Sequence, residues 1–389
     1  MDFNKIIDRE NTKSVKYDGR EMTFGRDDVL PMWILDMDFA APEEVTKSFK
    51  KRLDHGIYGY TMLDSDCRES VCNWIKNRHN WQISPAWLSL TPGVVPGVNM
   101  AIQAFSKPGD GVIVQPPVYY PFFAAVENND RRLLYNPLQI NNGRLEIDFE
   151  NLEQQASKAK IFLFCSPHNP GGSVWSEEEL ERIAEICLKH DLTIISDEIH
   201  ADIVFPPAKH IPTASISPET AARTITFMST SKTFNLAGLS TAYAVTSNPV
   251  MREAFNSTEA KLQVGYCNLF GIIGLEAAYK HGQKWYEKML SYVKANIDFT
   301  VNYFEQNLPQ IKPLKPQATY LLWLDCRELK LSQSALLSLF VNKARVGLSD
   351  GTIFGPGGEG FMRMNLACAR STVEKALGQI KQAVDNLKV

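Results

Sequence analysis

Lys232, Asp197 and Asn169 are residue types that can do covalent and proton-transfer chemistry, and each stands just past a different apolar run. Residues 224–228 read as a short buried strand that breaks into Ser229, Thr230 and Ser231 and then presents Lys232. Taken alone, Lys232 has two readings. One is a solvated lysine on a polar loop, as most lysines are. The other is an amine in a partly dry pocket, its pKa lowered so that it forms a Schiff base with a carbonyl cofactor. The neighbouring hydroxyls would then hold that cofactor's phosphate.

Asp197 alone reads as a helix cap, but its meaning changes beside Lys232. A pyridine ring works as an electron sink when its nitrogen stays protonated, and a paired carboxylate keeps it so. Asn169 offers an amide to the ring's phenolic oxygen. His200, three residues beyond Asp197 and placed at a helix start, reaches the same oxygen or is simply structural. Tyr119, in the cluster Pro116-Pro-Val-Tyr-Tyr-Pro-Phe-Phe, stacks on a ring or packs in the core. Arg363 lies in an otherwise apolar strand, where a guanidinium needs a partner. A substrate carboxylate is one candidate and an internal acid the other. Gly93 opening the helix that carries Val94 and Val95 is an anion site or a plain connector. Asp36 and Asp38, between aromatic residues, are turn formers or line a cleft.

These residues need elements to hold them. Residues 88–91, 111–115, 160–165, 192–196 and 224–228 read as near-continuously apolar strands, alternating with polar loops and helices. That pattern belongs to a mainly parallel α/β sheet covered on both faces, whose ligands gather at the carboxyl ends of strands. Ser176 with Glu179 predicts a capping box, and Ser371 with Glu374 a second. Residues 285–306 read as a long helix bridging two domains. The tail, with strands at 318–324 and 361–366 and helices at 334–345 and 372–387, reads as a smaller α+β domain. The expected division is a large domain over 48–290 and a small one from 1–47 plus 291–389.

Composition narrows the function classes. A net charge of −3 from 41 basic and 44 acidic residues leaves no polybasic footprint for nucleic acid. No apolar run approaches the ~18 residues of a membrane span. The charged stretch 1–10 is unlike a signal peptide. Seven scattered cysteines without a CxxC pair argue against a disulfide framework and a zinc site, giving the expectation of a reduced, cytoplasmic protein. Gly355-Pro-Gly-Gly-Glu-Gly360 formally matches GxGxxG, yet it contains proline and leads into a strand, so it reads as a loop. Asp197, Glu198, His200 and Asp202 fall within one segment with no second cluster, which argues against a metal.

The motifs Ser166-Pro-His-Asn-Pro-Gly-Gly, Asp197-Glu-Ile-His and Ser229-Thr-Ser-Lys-Thr-Phe-Asn-Leu-Ala-Gly-Leu together resemble the fold type I pyridoxal-phosphate enzymes, the aspartate aminotransferase superfamily. Trp33-Ile-Leu-Asp-Met-Asp-Phe, Tyr58-Gly-Tyr60, Gly93-Val-Val-Pro and the stretch from Gly355 through Arg363 to Ala367 resemble its cystathionine β-lyase/C–S lyase subgroup. The resemblance implies a pyridoxal 5′-phosphate cofactor bound to Lys232, which also acts as the base at Cα. It implies Asp197 on the pyridine nitrogen, Asn169 and His200 at the ring oxygen, and Tyr119 stacked on the ring. The phosphate falls to the amides of Val94 and Val95 and the hydroxyls of Ser229 and Ser231. Tyr60 would reach the neighbouring subunit's phosphate in a homodimer, and Arg363, assisted by Asn169, would bind the substrate α-carboxylate. Many aminotransferases carry an arginine eight residues after the lysine, where this chain has Ser240. The implied reaction is α,β-elimination from cystathionine or cysteine-type substrates to a thiol, pyruvate and ammonia. The alternatives are transamination and a C–S lyase with an added regulatory protein-binding role.

Overall fold

A computed structural model describes residues 2–265 and 268–388. Of the seven cysteines, Cys267 lies outside the described residues.

Seven strands form the main sheet: β1 (Leu88–Thr91), β2 (Gly111–Val114), β3 (Arg132–Tyr135), β4 (Ile161–Cys165), β5 (Thr193–Asp197), β6 (Thr224–Met228) and β7 (Ala242–Val245). Their spatial order is β1-β7-β6-β5-β4-β2-β3. Only β7 runs antiparallel to its neighbours, β1 and β6. The central strands are buried at nearly every position because both faces are covered. In β4, Ile161, Leu163 and Cys165 face one core, while Phe162 and Phe164 face the other. Helix α1 (Val94–Phe105) covers the first face. It packs so closely that a Cβ at Gly97 would stand 2.5 Å from the Phe227 ring. Helix α2 (Glu177–Lys189) covers the second face and starts with the expected Ser176/Glu179 capping box.

A second, antiparallel sheet is built from β8 (Lys312–Leu314), β9 (Leu321–Asp325), β10 (Ser349–Asp350) and β11 (Phe361–Asn365), in the order β8-β9-β11-β10. Helices α3 (Gln283–Asn307) and α4 (Arg370–Asp385) share one core with it, through Val293, Ile297, Leu322, Met364 and Leu377. The architecture is therefore the expected one, a mainly parallel α/β sheet with a smaller α+β unit.

Three local expectations fail. The capping box at Ser371 and Glu374 is absent: α4 starts two residues earlier, behind Ala369, with no side-chain cap, so Ser371 falls inside the first turn. The strand placed at 318–324 starts only at Leu321, because Thr319 is left-handed (φ 72°) and its N–H bonds to the Ile203 carbonyl at 2.7 Å. His200 does not begin a helix. It lies in a turn closed by Ala201 N–H to Glu198 O and Ile203 N–H to His200 O, both 2.9 Å.

Candidate active site

Parallel pairing lays the ends of β4, β5 and β6 side by side, with Cys165, Asp197 and Phe227 in register. The loops leaving those ends carry Asn169, His200 and Lys232, and all of them line one cavity of about 210 Å³ with Asp197 at its floor. Val94, Val95, Tyr119, Ser229 and Ser231 line the same cavity. Every candidate cofactor residue from the sequence is thus brought together except Tyr60, which sits 97% exposed on the stretch after residue 55. Arg363 lines an adjoining cavity of about 460 Å³ that shares Leu35, Tyr119 and Lys232 with the first.

Lys232 stands on a four-residue helix, Thr230–Thr233. Its Nζ donates to the Leu35 carbonyl at 2.9 Å, and no carboxylate lies within ion-pair distance among the described residues. Burial lowers its pKa to about 8; nearby Asp36 acts against that and Arg363 with it. Asp197 is buried and accepts a hydrogen bond from the Ile199 N–H at 3.1 Å. Burial raises its pKa to about 7, with the Ile199 amide and Lys232 pulling the other way. His200 is held neutral, its pKa pushed down to about 3 by burial and by the charges of Lys232 and Arg363, and its Nδ1 is buried with no partner. A carboxyl with a raised pKa, a lysine with a lowered one and an orphaned imidazole nitrogen in one cleft mark a site built for another group.

Helix α1 closes one end of the cavity. Its N-cap is Gly93, at φ 149°, which has no side chain to cap the helix. The first amides are left to bind an anion. Across from them, the Ser229 hydroxyl donates to the Thr241 carbonyl at 2.8 Å and accepts from the Ser231 N–H at 3.0 Å. Ser231 is then the hydroxyl still free to donate. Ser240, where an arginine stands in many aminotransferases, also lines this end.

Arg363, on β11, is 3% exposed. It donates to Asn169 Oδ1 (3.1 Å), the Trp33 carbonyl (2.9 Å) and Ser349 Oγ (3.1 Å), while its Nε is buried and unpaired. All these acceptors are neutral, so the internal acidic partner is not there among the described residues. Burial alone holds its pKa down to about 10. An unneutralised buried guanidinium is costly and calls for an anion.

Sequence reasoning singled out the segment 33–39 for its aspartates and missed what its backbone does. Its carbonyls hold the site: Trp33 O takes Arg363, and Leu35 O takes both Lys232 and the Tyr320 hydroxyl (3.3 Å). Asp36 and Asp38 line a cleft of about 400 Å³, where they pair with Arg9 (2.6 and 2.7 Å), and Asp38 also pairs with buried Lys16 (2.9 Å). Asn235 was also missed. Its amide bonds to the backbone of Met37 and Phe39 and locks this segment to the Lys232 loop.

The profile of the aminotransferase class I and II family matches residues 28–380. The chain belongs to that family. Cystathionine beta-lyase PatB of Bacillus subtilis is 43% identical over 386 residues, spanning 99% of this chain and 100% of that protein. Cystalysin of Treponema denticola, whose crystal structure contains pyridoxal 5′-phosphate, superposes with a TM-score of 0.96 at 38% identity over 99% of each chain. A pyridoxal-phosphate-bound protein of Clostridium difficile, provisionally assigned as an aminotransferase, superposes with a TM-score of 0.97 at 44% identity, over 98% of this chain and 99% of that one. Among the described residues, no group of three or more His, Cys, Asp or Glu side chains is placed to hold a metal, and no helix is long and apolar enough to cross a membrane.

Proposed function

We propose that this chain is a pyridoxal-phosphate-dependent carbon–sulfur β-lyase acting on cystathionine or cysteine-type substrates. The observation that carries the reading is the pairing of Asp197 and Lys232, displaced in opposite directions at two strand ends of one cavity. The likeness to PatB and cystalysin supports the lyase outcome over transamination.

The residues fit the cofactor. A carboxyl poised near neutrality and short of donors suits a protonated pyridine nitrogen, the uncapped start of α1 suits a phosphate, and the orphaned His200 Nδ1 suits the ring oxygen. Asp197 would hold the proton at the pyridine nitrogen, and Asn169 and His200 would face the phenolic oxygen, with Tyr119 against the ring. The amides of Val94 and Val95 and the Ser231 hydroxyl would hold the phosphate, Ser229 joining them by turning from Thr241. Pyridoxal phosphate, when bound, supplies the sink for the electron pair left at Cα. Arg363, with Asn169, fixes the substrate carboxylate and so orients the Cα–H bond. Lys232, with an amine largely uncharged just above pH 8, takes the Cα proton. The Cβ–S bond then breaks, and the thiolate is protonated by Lys232 or a nearby tyrosine. The released enamine hydrolyses to pyruvate and ammonia.

Pyruvate and thiol formed from L-cystathionine with pyridoxal phosphate and no keto acid are the expected result. Turnover that starts only when a keto acid is added would move the assignment to an aminotransferase. Absence of a protein-bound absorbance band after adding pyridoxal phosphate and removing the excess would overturn the cofactor.

The exposed apolar run Ile57, Tyr58, Tyr60 and Met62 supports a homodimer in which Tyr60 reaches the neighbouring site. Light scattering giving the mass of one chain would contradict this. The six free cysteines among the described residues support a cytoplasmic location, which cell fractionation checks. The division at residues 48–290 is likewise proposed, with limited proteolysis near 47 and 290 as its test.

A further inference from the structure

Behind the cavity lies a second carboxylate that the chemistry above does not use. Asp202 is 5% exposed and follows Asp197 through the turn that carries His200. Its Oδ2 accepts from Thr233 Oγ1 at 2.8 Å, and Thr233 is the residue next to Lys232. Its Oδ1 accepts from Trp74 Nε1 and from His79 Nε2, each at 3.0 Å. Its backbone carbonyl accepts from the Tyr286 hydroxyl at 2.6 Å. Four donors from three segments therefore converge on one aspartate, and one of them is on the short helix that bears the reactive amine.

That helix cannot fix itself. Four residues make too few backbone bonds to hold an orientation without outside anchors. Its front is tied by Ser229 to Thr241, and the Lys232 side chain ends on Leu35. The rear is tied by Thr233 to Asp202. Asp202 is in turn connected through four intervening residues to Asp197, the carboxylate that lines the cavity.

We infer that Asp202 is a positioning residue that sets the direction of the Lys232 amine through the Thr233 hydroxyl, in register with Asp197. The inference rests on Lys232 being the reactive amine. Trp74 and His79 fix the carboxylate from the side away from the cavity, so the grip on Thr233 is rigid rather than a surface contact. A misdirected amine loses proton-transfer rate while substrate binding through Arg363 is left alone.

The test uses Thr233→Val, which keeps the shape and removes the donor, against Thr233→Ser, which keeps the donor. Two quantities are read: kcat and KM for pyruvate formation, and the rate at which the apoprotein captures pyridoxal phosphate, followed by absorbance. Thr233→Val is expected to lose on the order of tenfold in kcat and in capture rate, with KM changed less than about twofold. Thr233→Ser is expected to restore both to within about twofold of the unaltered protein. If Thr233→Val fails to fold, His79→Gln acts on the same carboxylate from behind and should lower kcat at constant KM. A folded Thr233→Val protein that matches the unaltered protein in both readouts would overturn the inference, as would equal losses in Val and Ser variants. Unaltered protein that captures no pyridoxal phosphate would overturn the functional reading together with it.

Discussion

Asp197 ends β5 and Asp202 lies in the turn that follows it; both are buried, and the protein treats them oppositely. Asp202 receives side-chain hydrogen bonds from Trp74, His79 and Thr233. Burial pushes its carboxyl up, yet the His79, Thr233 and Trp74 bonds outweigh burial and hold it below the usual range. Asp197 receives the Ile199 amide and rises to about 7. Burial is common to both, so burial is not what separates the carboxyl held low from the one raised. Donor supply is. The fold satisfies Asp202 and leaves Asp197 for another partner.

Substitutions break this contrast in order of size. Lys232→Ala should lower pyruvate formation by roughly 10³-fold or more, since it removes the base and the cofactor's attachment together. A steady-state assay checks it. Asp197→Asn should lower kcat on the order of 10²- to 10³-fold, because the ring nitrogen loses its anionic partner.

The stability effects should have opposite signs. A carboxyl whose folded pKa is raised penalises folding as pH climbs from about 4 to about 7, and the penalty is full above that window. Asp197→Asn removes the penalty and should stabilise the apoprotein at pH 8, by at most about 4 kcal/mol. Asp202 has a lowered pKa, so its contribution is present above the unfolded value and is lost as pH falls below it. Asp202→Asn should destabilise by about 1–3 kcal/mol at pH 8. Thermal unfolding of both variants, without cofactor, reads the two signs side by side. Arg363→Lys comes next: kcat/KM for substrate should fall on the order of 10- to 100-fold, mostly through KM, because lysine cannot reproduce the planar fork.

The two carboxylates also mark how far sequence alone reaches. The candidate residues past the central strands were legible as a cluster, since Asn169, Asp197 and Lys232 are polar side chains at the ends of apolar strands, and strand order then brings them together. Arg363 was legible for the same reason, a charge in an apolar strand. The parts that hold them were not. Leu35 and Trp33 act through backbone carbonyls, which every residue has, so no side-chain pattern points to them. Asp202 and Thr233 meet across 31 residues of chain, and a hydroxyl bonded to a distant carboxylate leaves no periodic trace. Ser371 shows the reverse error, a capping pattern overridden by where α4 enters its core.

The central claim is that Lys232 is kept ready to attack, and the pH dependence of pyridoxal phosphate capture by the apoprotein tests it most directly. Its neutral fraction at pH 7 is roughly a tenth, against well under a thousandth for an ordinary lysine. Capture should rise with pH, reach half its maximum near 8 and level off by about 9, and Lys232→Ala should abolish it. A rate that keeps climbing through pH 10, or persists in Lys232→Ala, would contradict the account.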